Sequence, residues 1–261
     1  VPEEFSLGWT EVDVAVRRTG LPASWHPFEI RSAGYTLDEH ERLSNAAWDA
    51  MRARGLADAD KLDHEVAATL RAWTRPEVLI IVRAAELAGG TVLYRACAGD
   101  GLGVFSEALP DGIRFLQLRP ERLVETVLSM FPPYVPLPVA PVTITQHKAP
   151  TRRRSDLPDN SDNSDRDFTT DAPGPSRRDR DALAPYSNWP LHRHGTVELS
   201  LRHGQGTLRP AGTTTFVDTD GGRYLTFMNT LPDGDVRLRF TPSDGSHLRR
   251  WLLETIEEGG R

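Results

Sequence analysis

The chain of 261 residues holds a single cysteine, Cys97, so no disulfide can close within it and no cysteine-based metal site can be assembled. Cys97 sits in an apolar run and reads as a small buried hydrophobe in a reducing setting. No stretch of about eighteen apolar residues occurs, so no membrane insertion is expected. The acidic start, Val1-Pro2-Glu3-Glu4, is no signal peptide, and a cytoplasmic location follows as the expectation; the first residue is not Met, which leaves the start of translation open. There is no basic excess either. The 31 Lys and Arg against 37 Asp and Glu give a net charge of −6, which argues against a nucleic-acid partner. Gly-x-Ser-x-Gly is missing. The glycine-rich Gly99-Asp100-Gly101-Leu102-Gly103 lies between two strands with no helix behind it, so it reads as a hairpin turn and fails the phosphate-loop and dinucleotide patterns. No cofactor is implied.

What the chain does have is a pattern used twice: an alternating strand, a turn, a second alternating strand, then a helix opened by proline. One copy surrounds Leu109-Pro110-Asp111-Gly112 and the other Leu231-Pro232-Asp233-Gly234. Ile113, Phe115 and Gln117 follow the first turn at strand period, and Val236, Leu238 and Phe240 follow the second. Arg119-Pro120-Glu121 and Thr241-Pro242-Ser243 then place proline where a helix's first N–H needs no acceptor. Strand, turn, strand, proline and helix recurring in one order predict a pseudo-two-fold domain.

Around these copies, Phe5 to Val16 reads as a half-buried strand, because Val12, Val14 and Val16 alternate with polar or small residues. Residues 20–34 read as a loop packed by Trp25 and Phe28. Thr36-Leu37-Asp38-Glu39 is a capping box that opens a helix ending at Arg54-Gly55. A second helix runs from about Leu62 to Trp73. Val78 to Val82 is too short for a buried helix and reads as a central strand covered on both faces. Strands follow at 92–98, 102–108 and 113–118, and a helix carries Leu123, Val124, Val127, Leu128 and Phe131 inward. In the second half, strands begin near Thr196, Thr207 and Tyr224, and a last helix opens at the capping box Thr241 to Asp244. From Gln146 to about Pro190 the sequence turns polar, with eight basic and eight acidic side chains between Lys148 and Asp181, and it reads as a disordered linker.

Candidate chemistry is sparse. His192, His194 and His203 lack a carboxylate or cysteine at ligand spacing, and Asp218 and Asp220 before Gly221-Gly222 lack the further oxygens of a calcium loop. Arg152 to Arg154 read as solvated linker charge, and Trp25 and Trp189, outside the predicted elements, are possible partner anchors or loop packing. Nothing assembles a reaction centre, so no enzyme is expected and the chain points to binding.

Tyr35-Thr36-Leu37-Asp38-Glu39, Ala47-Trp48, Arg52 to Leu56 and Trp73 to Glu77 resemble the first half of the EspG family of ESX (type VII) secretion-associated proteins of actinobacteria. Val217 to Leu225 and Thr241 to Asp244 resemble the second half. The resemblance implies an α+β fold, a quasi-two-fold central antiparallel sheet flanked by helices. It also implies a cytoplasmic chaperone that binds the helical tips of PE/PPE-type secreted proteins and keeps them soluble for export. Family members usually carry a second helix pair where this chain has its polar linker, with a remnant expected in Asp181 to Pro190, and some carry a long recognition loop where Glu86 to Thr91 is short.

The expected organisation is a first half over 1–145, a linker over 146–190 replacing the usual helix pair, and a second half over 191–261. Partner contacts are expected at Leu87 and Thr91 in the short turn and at Phe216, Tyr224 and Phe227 on the second-half sheet, as exposed aromatics on strands. Two other classes compete with the chaperone: a structural module, such as a homodimer without substrate binding, and a metal-dependent hydrolase built on Asp218, Asp220 and the nearby histidines.

Overall fold

The computed structural model describes residues 3–30, 32, 34–87, 89–147, 176–204 and 206–259. Ten strands form one antiparallel sheet in the order β1-β5-β4-β3-β2-β7-β8-β9-β10-β6. The first half supplies β1 (Glu4–Gly8), β2 (Val78–Glu86), β3 (Thr91–Gly99), β4 (Leu102–Leu109) and β5 (Gly112–Leu118). The second supplies β6 (Val142–Gln146), β7 (Leu191–Arg202), β8 (Leu208–Thr219), β9 (Gly222–Thr230) and β10 (Val236–Pro242). Within each half the strands adopt the same relative order, and the halves join where β2 pairs with β7, from Val78 opposite Leu201 to Glu86 opposite Arg193. The quasi-two-fold α+β architecture is therefore present as one continuous sheet. Val78–Val82 lies at its centre, which explains the unbroken apolar run.

Helices cover the two faces unequally. On the front face lie α1 (Trp9–Arg18), α2 (Leu37–Ala53) and α3 (His64–Thr74), over a core that includes Leu7, Val12, Trp48, Met51, Trp73, Ile81 and Phe115. On the back face α4 (Leu123–Ser129) and α6 (Ser246–Gly259) share a second core with Ile80, Val82, Phe105, Val197, Leu199, Phe216 and Leu225. The period of two along each strand separates the cores, so Ile80 and Ile81 belong to different ones. A fifth helix, α5 (Arg177–Ser187), returns to the front face of the second half, where Tyr186 packs edge-on against Tyr224 with ring centroids 5.0 Å apart.

Several local expectations are corrected. Phe5–Val16 is not one strand: β1 stops at Gly8 and α1 begins at Trp9, where the Glu11 carboxylate accepts the Gly8 N–H at 2.8 Å. Val12, Asp13, Val14, Ala15 and Val16 form an unbroken buried run in α1, and the three valines at every second position within it mimic strand alternation. Pro242 does not open α6, because it is the last residue of β10. The capping box expected at Thr241–Asp244 does not form; the Ser243 hydroxyl and Asp244 carboxylate instead accept the N–H groups of Gly245 and Ser246 at 3.1 and 3.0 Å. Pro120 does open a helical turn, a 3₁₀ segment over Pro120–Arg122.

The repeated tetrapeptide also makes two different turns. Pro110 and Asp111 alone separate β4 from β5, and Trp9 Nε1 donates to the Pro110 carbonyl at 3.3 Å. In the second copy residues 231–235 all lie in the loop, which is closed by Leu231 N–H to the Asp235 carbonyl at 2.8 Å with Gly234 at φ +88°. Of the linker expected over 146–190, residues 148–175 lie outside the described residues. Its end is helical: α5 is opened by Ser176, whose hydroxyl accepts the Asp179 N–H at 3.1 Å.

Candidate functional site

The front face is uncovered along its middle. Helix α3 lies over β3 and β4, α1 over β1 and β5, and α5 reaches β6 at the far edge. Between them β2, β7 and β8 form the floor of a trough. Alternation decides what this floor shows. Arg83 and Ala85 of β2, His194, Thr196 and Glu198 of β7, and Thr215 and Val217 of β8 share the front by register, and all are partly or fully exposed. Their sequence neighbours Val82, Ala84, Val197, Leu199 and Phe216 point to the back core and are buried.

At the seam of the two halves, Arg83 Nη1 pairs with the Glu198 carboxylate, with about a third of each side chain exposed (34 % and 31 %). The other end of the guanidinium contacts His26 Nε2, on the loop before α2. Burial, then the charge of Arg83, holds the His26 imidazole below its ordinary pKa, so the neutral ring accepts from the guanidinium. Beneath it Arg95 is fully buried, with its Nη1 on the His26 carbonyl and its Nη2 on the Trp73 carbonyl at 2.6 Å. Arg95 thus ties the 20–34 loop and the C-terminal end of α3 to the sheet, where the helix dipole favours a cation.

The other end of the trough is aromatic. Tyr186, Trp189, Leu191, His194, Val217, Thr219 and Tyr224 line an open cavity of about 380 Å³. Burial raises the pKa of both tyrosines, which keeps their phenols protonated, and Tyr186 donates to the Ala140 carbonyl at 2.7 Å. Trp189, 40 % exposed, lies flat against Gly221, where a β-carbon would collide with the indole. His192 Nε2 contacts Asp220 beside it. The cavity presents a broad apolar surface with hydroxyl and imidazole groups at its margin, suited to a side chain of another protein.

The back face carries a buried charge ladder. Asp218, 0 % exposed, pairs with Arg223 (Nε to Oδ1, 2.5 Å) and with Arg193 (Nη2 to Oδ2, 2.9 Å). Arg223 also donates to the Pro132 carbonyl at 3.1 Å and lies 5.4 Å from the Phe131 ring centroid, so the ladder clamps the connection between the halves. Among the described residues no three His, Cys, Asp or Glu side chains are placed to hold a metal ion, and no helix is long and apolar enough to cross a membrane.

The five expected contact residues do not converge. Leu87, 70 % exposed, and Thr91 sit at the β2–β3 hairpin, where the Leu87 N–H donates to the His192 carbonyl at 2.9 Å. Tyr224 is on the front face in the aromatic cavity. Phe216 is a correction: it is completely buried in the back core, edge-on to Phe131 at 4.9 Å. Phe227 also faces the back, against Trp251 at 6.0 Å. Tyr224 and Phe227 are three residues apart in one strand, and that odd spacing alone forbids a shared face. The trough residues Arg83 and Glu198 were not singled out from sequence, and His194 was weighed only as a metal ligand, because the pairing of β2 with β7 crosses more than a hundred residues.

No curated protein matches this chain. Among solved structures its fold is similar to that of the Mycobacterium tuberculosis type VII secretion system chaperone EspG5, solved in complex with the PE25-PPE41 dimer. That likeness has a TM-score of 0.63 at 9 % identity, over 99 % of this chain and 97 % of that one. The family model that matches residues 9–254 is that of the EspG family, and the chain belongs to it.

Proposed function

We propose that this chain is a non-enzymatic, cytoplasmic chaperone of a type VII secretion system, which holds the apolar helical tip of a PE/PPE-like secreted protein until export. The observation that carries the reading is the unequal cover of the sheet. Helices α4 and α6 cover the middle of the back face around Phe105, Leu199 and Leu225, leaving a cavity of about 420 Å³ beside Tyr94 and Phe131, whereas the front face leaves β2, β7 and β8 open between helical walls. An open sheet floor with one charged end, Arg83 and Glu198, and one aromatic end, Trp189 and Tyr224, supplies both the orienting and the burying contacts that a helix tip requires. The EspG-family membership and the EspG5 fold support the same assignment. Leu87 and Thr91 border this floor at the hairpin and take part in the contact.

A hydrolase built on Asp218 is disfavoured by the two arginines that neutralise it. The test is co-expression with PE/PPE-type proteins of the source organism and recovery of a complex. Binding should weaken with Trp189→Ala and with Arg83→Glu. Recovery of no helical partner, or of a complex indifferent to both substitutions, sinks the assignment.

A further inference from the structure

The two edges of the sheet are built differently. Strand β1 is blunted: Arg54 Nη1 donates to the Ser6 carbonyl at 2.9 Å while its Nη2 holds Glu11 at 2.6 Å. Chain growth along that edge meets a side chain already on the strand's open carbonyl, and α1 begins directly after Gly8. Strand β6 has no such device among the described residues. Its sequence, Val142-Thr143-Ile144-Thr145-Gln146, contains no charge and no proline, and four of its five residues are β-branched. Among the described residues its only strand partner is β10, and Tyr186 of α5 donates beside it, to the Ala140 and Phe240 carbonyls at 2.7 and 3.3 Å.

We propose that β6 is a self-association edge, at which two copies of this chain pair their β6 strands antiparallel about a two-fold axis. The strand is self-complementary in that arrangement. Centred on Ile144, the pairing sets Thr143 opposite Thr145 of the partner subunit and Val142 opposite Gln146 of the partner subunit, with no like charges facing. The exposed Arg237 and Arg239 lie one strand further in, on β10. Their counterparts across the dyad are three strand spacings away, about 14 Å, beyond the screening length of about 8 Å at physiological salt. The blunted β1 edge decides the stoichiometry. A β6-to-β1 contact would propagate without end, whereas β6 against β6 uses up the one edge left open among the described residues of each copy and closes as a dimer.

Sedimentation equilibrium of the full chain tests this against a variant carrying Thr143→Glu and Thr145→Glu together. Both side chains leave the sheet on the bare outer back face, where each Glu would face Arg239 or Arg237 of β10 in its own chain, and each dimer would then hold two facing Glu–Glu pairs. The expected result is a mass approaching twice 29.0 kDa for the natural chain as concentration rises to about 100 μM, and a monomer for the double variant with unchanged circular dichroism and melting. A natural chain that stays monomeric overturns the proposal, as does a double variant that still dimerises.

Discussion

Asp218 and Arg223 face each other across the β8–β9 hairpin in a two-point ion pair, Oδ1 2.5 Å from Nε and Oδ2 3.1 Å from Nη2, with side chains no more than 4 % exposed. Arg193 completes the ladder from β7, so one carboxylate balances two guanidinium groups in the back core. Asp218→Ala leaves both cations buried without compensation. A loss of about 3–5 kcal/mol of folding stability is expected, measured by urea denaturation. A loss below about 1 kcal/mol would show that water reaches the ladder.

Phe216 and Phe227 lie on the same back face but differ in burial, and that difference is measurable. Phe216→Ala empties a completely buried site and should cost about 3–5 kcal/mol, whereas Phe227→Ala, at a half-buried position, should cost distinctly less. Equal losses in paired denaturation curves would contradict the burial difference.

Gly221 should tolerate no side chain if Trp189 is to keep its place. Gly221→Ala pushes the indole off the cavity, and its effect on partner affinity is expected to match that of Trp189→Ala, about ten- to thirty-fold, or about 1.4–2 kcal/mol. Calorimetric titration of each variant with the helical partner checks this. Tight binding by both would remove the aromatic cavity from the contact surface.

Burial pushes the Cys97 thiol from 9.0 up to about 11. The folded chain therefore keeps its proton where the unfolded chain has lost it. The stability associated with this thiol is complete below about pH 9 and is lost progressively as pH rises towards 11. Replacing it by Cys97→Ala should flatten that part of the stability profile, on the order of 3 kcal/mol. At pH 8 a thiol reagent should modify the natural chain only at its unfolding rate; immediate modification would mean that the residue is accessible.

Much of the fold is legible in local chemistry. Thr36 at the start of α2 and the alternation of Ile113 and Phe115 each state their element within a few residues. The readings fail where burial removes the pattern or a motif has two uses. The valines of α1 stand at every second position of a buried run, and Pro242 serves a strand end as well as it would a helix start. The short β6 went unseen because five residues become a strand only through pairing with β10, about ninety positions away.

The sequence alone therefore determined the doubled hairpin unit, the EspG resemblance and the absence of a cysteine cluster, because these depend on residue order over short spans. Tertiary structure decided which side of the shared sheet is open. Register across the β2–β7 seam, more than a hundred residues apart in the chain, places Arg83 beside Glu198 and sends Phe216 to the opposite core. A shift of one residue at that seam would exchange the two faces of β7 relative to β2, and no local pattern records which register long-range pairing selects.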